Sequence, residues 1–258
     1  MIDSHCHLNY IDKCGTVTEL VDEAVKAGVR TIINIGADLE SSQTSVDLAR
    51  QLGPVWATVG VHPHDASTVD DDVVDKVKSM TSEKKVVAVG EIGLDYYRDL
   101  SPRKVQRKVF RRFLELAVEV KLPVVIHTRE AFEDTVEIVG DYAGDLRGGV
   151  FHCFPGSVDD AQRVFELGFS ISVGGVITYR DSRMARVAAE VPLDRIIAET
   201  DAPYLTPVPF RGKTNRPALV RHVYEKLAEL RGIDKAELEK RVDRNCQKLF
   251  GLVEVFGG

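Results

Sequence analysis

The stretch Val86–Ile92 (VVAVGEI) carries the pattern that decides the fold of this chain, a run of apolar and β-branched residues that leads into a carboxylate. The apolar residues of such runs are continuous rather than alternating, as in parallel strands that are covered on both faces. Together such runs predict eight strands, at Met1–His5, Val29–Gly36, Val55–Val61, Val86–Ile92, Pro123–His127, Gly149–His152, Phe169–Val173 and Ile196–Glu199. The run Met1–His5 is too short to be assigned as a strand from its own pattern.

Helix-like segments alternate with these strands, and glycines or a Ser-Pro pair mark several of their ends. This alternation predicts a single-domain (β/α)8 TIM-type barrel over residues 1–258, with a doubly wound open sheet as the alternative. The barrel is favoured because chemically capable residues follow many strands instead of one switch point. The predicted helices are Thr18–Ala27, Ser41–Leu52, Pro102–Lys121, Arg129–Val139, Ser157–Leu167, Asp181–Glu190, Ala218–Arg231 and Lys235–Phe250.

Composition narrows the class of protein. The chain has 258 residues, of which 44% are hydrophobic, which is ample for a packed core. It contains no uninterrupted apolar run of about 18 residues, and its first residues lack the pattern of a secretory leader, so we expect a cytoplasmic protein without membrane contact. The net charge of −6 argues against a non-specific nucleic-acid binder. It does not exclude an enzyme with local basic residues and bound metal ions.

The cysteines are expected to be reduced and structural. Cys6, Cys14, Cys153 and Cys246 form no CxxC pair, and a chain of this length does not need disulfides. Cys6 and Cys153 each adjoin a histidine that follows a strand. Because neighbouring side chains on a strand point to opposite faces, we predict that both thiols pack behind the site.

The histidines are distributed unevenly along the chain. His5 and His7 share a strand face at positions i and i+2, so both imidazoles can reach one ion, although an H-x-H pair alone is a weak signal. Six of the seven histidines follow predicted strands, and only His222 falls within a helix, where we expect a solvated residue. Histidines and carboxylates that converge in a cleft are a typical ligand set for metal ions. The further residues at strand ends are His62, His64, Glu91, His127, His152 and Asp201.

This set exceeds the needs of one tetrahedral ion and suits two divalent cations. Paired ions in two-metal sites lie about 3.5–4 Å apart, a gap that one carboxylate can span. Glu91 follows the middle strand of the set and is the natural bridge. Imidazole ligands favour Zn or Mn over Mg, which prefers oxygen ligands, and the identity of the metal stays open among the three.

Six ordered motifs, spread from Ile2 to the final helix, resemble those of the TatD-like deoxyribonucleases, a branch of the metal-dependent hydrolases with the barrel fold. They are DSHCHL, GVHPHD, VGEIGLDYYRD, PVVIHTRE, VFHCF and ETDAPYLTP. The resemblance implies hydrolysis of DNA with Mg as a frequent metal. It implies that His5, His7 and Asp201 hold one ion. It also implies that His127 and His152 hold a second, with Glu91 bridging where related amidohydrolases often carry a carboxylated lysine. The chain departs from the family at Arg216, where many members carry a glutamate, which puts substrate preference in doubt.

The catalytic roles follow from the chemistry of phosphodiester hydrolysis, which needs an activated water and neutralised phosphoryl oxygens. We predict that Asp201 is the general base as well as a ligand. His62 and His64 either protonate the leaving group, contact the phosphate or orient other residues. Arg129 lies two residues after His127 and suits bidentate contact with a phosphate, although an ordinary surface arginine fits equally well.

A basic stretch predicts the substrate-binding side of the mouth. Residues Arg98 to Arg112 include seven basic residues and a single acid, and only their beginning is expected to reach substrate. Tyr97 can stack on exposed bases, and Arg98 and Arg211 can flank the mouth. We therefore predict a DNA substrate, with RNA as an alternative, cleaved from single-stranded or frayed ends because a barrel mouth is concave.

Two other functions remain open from the sequence. A metal-dependent amidohydrolase or esterase acting on a small molecule would use the same barrel and ligands. A non-catalytic binding protein is the second alternative, against which the complete ligand set argues. No obligate protein partner is implied.

Overall fold

The computed structural model describes residues 1–11 and 15–252, and the prediction made for Cys14 lies outside them. Eight parallel strands form one sheet in the order of the chain, each strand pairing with the next. Sequential order is typical of a barrel and differs from the reversed order of a doubly wound sheet. The strands are β1 Ile2–Cys6, β2 Thr31–Asn34, β3 Val55–Val59, β4 Val86–Asp95, β5 Val124–Arg129, β6 Gly149–Phe151, β7 Ser170–Val173 and β8 Ile196–Ala198.

The sheet closes where β1 meets the chain just after β8. The Asp201 N–H donates to the His5 carbonyl at 2.9 Å, and the His7 N–H donates to the Ala202 carbonyl at 2.8 Å. Cys6 and Ala202 also form a parallel bridge across this seam. The (β/α)8 barrel prediction is therefore confirmed, and the doubly wound alternative is wrong.

Helices surround the barrel and mostly match the predicted segments within two residues at each end. The clearest error is the predicted start of the fifth helix at Arg129, since that residue ends β5 and the helix begins at Phe132. The helices are α1 Val17–Lys26, α2 Leu39–Gln51, α3 Asp71–Met80, α4 Arg103–Val120, α5 Phe132–Gly140, α6 Val158–Glu166, α7 Arg183–Glu190, α8 Val220–Arg231 and α9 Lys235–Phe250.

The helix α3 was not predicted, because its apolar face is too small to leave a periodic signal. Val77 is its only buried residue, and the helix begins with acidic residues. The local capping chemistry was nevertheless present, since the Asp70 side chain accepts a hydrogen bond from the Val73 N–H. An Asp at this position satisfies one of the free N–H groups at a helix start. Capping thus marks this helix where hydrophobic periodicity does not.

The strand β4 continues three residues beyond its predicted end at Ile92, and it approaches β5 unusually closely. At Gly93, whose φ is +142°, an added Cβ would lie 2.0 Å from the His127 carbonyl oxygen. Only glycine accepts both this backbone conformation and this distance. The close approach aligns Gly93 with His127 and Asp95 with Arg129 in the pairing of the two strands.

The N-terminal end of the barrel is closed by α9. Apolar residues from several strands, including Ile2, Val87 and Ile197, pack with Cys246 and Phe250 of this helix in one buried cluster. A barrel plugged in this way leaves the opposite, C-terminal end for chemistry. Within the described residues, no helix combines the length and apolarity needed to cross a membrane.

Candidate metal centre at the barrel mouth

The closing seam brings the first and last predicted ligands together. The His7 Nε2 atom lies 3.1 Å from His5 Nε2 and 3.5 Å from an Asp201 carboxylate oxygen. Asp201 adopts a left-handed backbone with φ +56°, which Asp tolerates better than most residues, and its side chain is directed by the turn that follows β8. Residues separated by almost the whole chain therefore meet because the barrel closes between them.

A buried aspartate that the sequence reading left unassigned stabilises the same seam. Asp3 accepts hydrogen bonds from the Thr200 N–H at 2.8 Å and from the Thr200 hydroxyl at 2.6 Å. Burial raises the pKa of Asp3 to about 8, although the bonds from Thr200 act in the opposite direction. These contacts link β1 to the segment that carries Asp201.

Glu91 lies at the centre of the histidine cluster and is itself buried. Its Oε1 atom is 2.8 Å from His152 Nε2 and 2.9 Å from His127 Nδ1. Its Oε2 atom is 3.5 Å from His5 Nε2 and 3.7 Å from His7 Nε2. The two oxygens of one carboxylate thus face two different pairs of imidazole nitrogens.

The spacing within each histidine pair fits a bound cation. The two facing nitrogens are 3.1 Å apart in His5 and His7 and 3.3 Å apart in His127 and His152. Two imidazoles on one tetrahedral ion, with bonds of about 2.0–2.1 Å, would hold their nitrogens about 3.3 Å apart. The donors are imidazole nitrogens and carboxylate oxygens, the set that suits divalent transition metals. The residues present therefore fit the metal ions that the resemblance implies.

The electrostatics of the cluster keep both carboxylates ionised. Burial alone would raise the pKa of Glu91, but His152, His62 and His127 outweigh it and hold that pKa well below the usual value. The pKa of Asp201 is likewise lowered, because the nearby histidines outweigh its burial. Negative carboxylates at the centre of the cluster favour a bound cation.

The pKa values of the clustered histidines are shifted in opposite directions. Burial and the neighbouring His152 lower the pKa of His5, whereas for His152 the charges of Glu91 and Glu199 outweigh burial and raise the pKa well above its usual value. Burial and His127 lower the pKa of His62 well below the ordinary range. A neutral imidazole has a free lone pair, which is the form that binds a metal ion.

His62 and His64 also belong to the cluster. The His62 Nε2 atom lies 3.6 Å from Glu91 Oε1, and its ring centre is 4.4 Å from that of His127. A 3₁₀ helix at Pro63–Thr68 then turns the chain so that His64 reaches Asp95. His62 thus lies beside Glu91 and His127, whereas His64 contacts Asp95, which in turn contacts His127.

Asp95 is a functional candidate that the sequence reading missed. Its Oδ2 atom lies 2.9 Å from His64 Nε2 and 3.2 Å from His127 Nε2, and its Oδ1 accepts from the Tyr97 and Arg98 N–H groups. These partners outweigh burial and lower the pKa of Asp95. A carboxylate on the outer nitrogen of a histidine ligand orients the ring toward the metal. The available signal was the i, i+4 spacing from Glu91, which puts both side chains on one strand face.

Glu199 is a second missed carboxylate. It is fully buried and accepts hydrogen bonds from the Ser172 hydroxyl and the Cys153 N–H, and its Oε1 atom lies 3.6 Å from His152 Nδ1.

Cys6 is buried in the main core, and Cys153 packs against that core while partly exposed. Cys6, Cys153 and Cys246 are free thiols, in agreement with the sequence reading of these three residues.

A cleft of about 570 Å³ opens over the cluster at the C-terminal end of the barrel. Arg98 and Arg129 reach it, and the Arg129 guanidinium lies 3.9 Å over the ring of Tyr97. On α4, Arg107 and Arg112 instead pair with acids on neighbouring helices, and Arg111 pairs with Asp141 just after α5. The residues lining the cleft are His7, Tyr10, Ala37, His62, His64, Asp65, Glu91, Asp95, Arg98, His127, Arg129, His152, Asp201, Tyr204 and Leu205.

Three further polar residues lie outside the lining of the cleft, and contact of Arg211 with substrate stays a prediction. Arg211 does not line the cleft, because its guanidinium lies over the ring of Tyr179 at 4.5 Å. Arg216 does not line it either, and its side chain contacts Glu23 of α1 at 3.0 Å. The side chain of His222 is only 18% exposed, since its ring packs near Phe210 and bonds to Glu225. Loop geometry decides the directions of the two arginines, and the sequence carries no pattern for it.

A (β/α)8 barrel with converging histidines and carboxylates at its C-terminal mouth has the architecture of a metal-dependent hydrolase. The family model described as TatD related DNase matches residues 2–251. The chain belongs to the TatD-related DNase family and is a metal-dependent hydrolase.

Relatives and solved structures agree with this assignment. The chain is 36% identical to the uncharacterized metal-dependent hydrolase YabD of Bacillus subtilis, over 97% of this chain and 98% of the relative. It is 34% identical to the 3'-5' ssDNA/RNA exonuclease TatD of Cronobacter sakazakii, over 90% of each chain. The crystal structure of YJJV, a TatD homolog from Escherichia coli, matches with a TM-score of 0.92 at 33% identity over 98% of each chain.

Proposed function

We propose that this hydrolase cleaves the phosphodiester bonds of single-stranded nucleic acid from an end, with two divalent cations held at the barrel mouth. The observation that carries the proposal is Glu91, whose two oxygens face separate sets of imidazole nitrogens within 3.7 Å. Oε2 faces His5 and His7, whereas Oε1 faces His127, His152 and His62. A relative named as a 3'-5' ssDNA/RNA exonuclease supports the substrate class. We further propose that residues 1–258 act as a single domain.

In this proposal, each cation has its own set of ligands. His5, His7 and Asp201 would hold one, His127 and His152 would hold the other, and Glu91 would contact both. Bound divalent cations supply an activated water and neutralise charge on the phosphoryl oxygens. The metal is Mg, Mn or Zn, of which Mn and Zn match the imidazole donors better.

The side chains supply proton transfer and substrate placement. Asp201 is ionised and borders the cleft, so it can accept the proton of the attacking water. His64 borders the same cleft and is a candidate to deliver a proton to the leaving oxygen, whereas His62, whose low pKa leaves the imidazole neutral, is a candidate to contact the phosphate. Arg98 and Arg129 bind phosphates of the strand, since a guanidinium matches phosphate geometry with two parallel hydrogen bonds.

The decisive experiment offers end-labelled strands to the metal-free protein after addition of Mg²⁺, Mn²⁺ or Zn²⁺. We expect single-stranded DNA or RNA to shorten progressively from one end, faster than a blunt duplex, and no turnover in the presence of a chelator. Small esters and cyclic amides are the parallel substrates, since an amidohydrolase or esterase shares the barrel and donors. Hydrolysis of these alone, with intact oligonucleotides under all three metals, would overturn the proposal.

A further inference from the structure

Three exposed tyrosines lie at the cleft or beside it, since Tyr10 and Tyr204 line the cleft and Tyr97 stacks under Arg129, which lines it. Tyr10 is 40% exposed, and Tyr97 and Tyr204 are each 53% exposed. Within residues 1–11 and 15–252, they are the only aromatic residues among the large exposed hydrophobic side chains. Aromatic rings are usually buried, because removing their apolar surface from water is favourable. Several exposed rings near one opening therefore indicate a binding surface.

Two of these rings flank a candidate metal ligand. The Tyr10 ring centre lies 5.6 Å from that of His7, with the planes inclined by 24°. The Tyr204 ring centre lies 6.1 Å from that of His7, with the planes inclined by 68°. Both tyrosines line the cleft together with His7. The different inclinations to His7 mean that the two tyrosine rings are not parallel, so each ring offers its own stacking face beside the candidate metal ligand.

The third tyrosine stands across the mouth. Tyr97 follows β4, whereas Tyr10 follows β1 and Tyr204 follows β8, and strands in sequential order put β4 across the barrel from the seam between β8 and β1. Tyr97 carries the Arg129 guanidinium 3.9 Å over its ring. This stacking holds a cationic group at the cleft, where it can meet a phosphate.

We propose that Tyr10 and Tyr204 form a base-stacking clamp beside His7, in which each ring stacks on its own base, while Tyr97 positions Arg129 for the adjoining phosphate. The clamp rests on the proposed nuclease function and deepens it, since it explains why unpaired nucleotides are the substrate. Aromatic side chains bind bases of any sequence through their faces. A base within a duplex is already stacked and paired, so it enters the clamp only after that pairing is broken. The clamp therefore selects single strands and frayed ends without reading their sequence.

The test separates the base from the phosphate. Substrates are a single-stranded oligonucleotide and the same strand with abasic residues at both ends, which keeps every phosphate in place. Loss of one stacked base costs roughly 5- to 100-fold in binding. We expect wild-type protein to show a KM higher by roughly that factor for the abasic strand, with a smaller change in kcat. Tyr10→Ala and Tyr204→Ala should raise KM for the normal strand similarly and remove most of the difference between the strands.

Conservative and remote substitutions serve as controls. Tyr10→Phe and Tyr204→Phe keep the stacking face and should behave as wild type. Tyr142→Ala removes a tyrosine ring that does not line the cleft, and it should leave the ratio of the two KM values unchanged. Thermal unfolding of each variant reports whether the fold is retained.

Two outcomes would overturn the clamp. One is an unchanged KM in both alanine variants, and the other is an equal preference for normal and abasic strands in wild-type protein. If wild-type protein cleaves no nucleic acid under any metal, the proposed nuclease function fails, and fluorescence anisotropy of the same labelled strands then decides about the clamp. Tighter binding of the normal strand that is lost in Tyr204→Ala supports it, and equal binding rejects it.

Discussion

Replacing Glu91 by glutamine removes one negative charge from the centre of the histidine cluster with almost no change in size. In the native site, Oε1 lies 2.8 Å from His152 Nε2 and Oε2 lies 3.5 Å from His5 Nε2. An amide keeps one acceptor oxygen and turns the other into an NH₂ group, which has no lone pair for a cation. One histidine pair therefore keeps a facing oxygen, and the other loses it.

The expected magnitude follows from the charge that is lost. A unit charge at about 4 Å contributes about 4 kcal/mol at an effective dielectric constant of about 20, which corresponds to roughly 10³-fold in affinity. We expect one of the two cations to bind at least about 10³-fold more weakly in Glu91→Gln. Cleavage should fall by at least about 10²-fold, the usual cost of removing one electrostatic group from a reacting centre.

The assay combines metal analysis of the purified protein with single-turnover cleavage of a labelled oligonucleotide, and thermal unfolding reports the fold. Glu137→Gln is the matched control, since this side chain is 65% exposed and lies 3.9 Å from Arg107, away from the cleft. The control should keep two cations and the wild-type rate. If Glu91→Gln also keeps two cations and cleaves normally, Glu91 does not bridge, and our reading of the centre is wrong.

Three further substitutions test other parts of the site. Asp201→Asn keeps a residue that tolerates the left-handed backbone, so the barrel should persist while single-turnover cleavage under saturating metal falls at least about 10²-fold and substrate binding changes little. A rate close to wild type would assign the base elsewhere. Asp95→Asn weakens the orientation of His127, and metal titration should show about 10- to 100-fold lower affinity, with the rate partly restored at high metal concentration. An unchanged titration would make Asp95 merely structural. Gly93→Ala should cost at least about 1–3 kcal/mol in the free energy of unfolding by denaturant, because its Cβ would meet the His127 carbonyl oxygen at 2.0 Å. Gly53→Ala is the control for that clash, since an added Cβ meets nothing within 4 Å, and equal losses in both variants would contradict the packing argument.

Much of the fold was predictable because its signals are local. Continuous apolar runs such as Val86–Ile92 mark buried parallel strands, and the glycines after two helices mark their ends. The strand β4 nevertheless extends to Asp95, beyond its predicted end. The helix α3 was not predicted, since only Val77 on it is buried. Where the apolar face is small or a strand continues past a glycine, periodicity alone gives no boundary.

The candidate ligands were also accessible from the sequence. His5, Glu91, His127 and Asp201 each stand at or just beyond the end of an apolar strand, and the C-terminal ends of barrel strands share one face of the molecule. That rule needs only the order of strands and no side-chain geometry. Residue type and position along the chain are therefore enough to predict the candidate metal centre.

Only the tertiary structure decided how these groups are arranged in space. Closure of the barrel at the His5 and Asp201 seam sets which imidazoles share an oxygen of Glu91, since that contact joins opposite ends of the chain. Loop conformation turns Tyr204 into the cleft and Arg211 away from it, although both follow the same strand. Side-chain direction in a loop depends on packing against distant residues, and no local periodicity encodes such contacts.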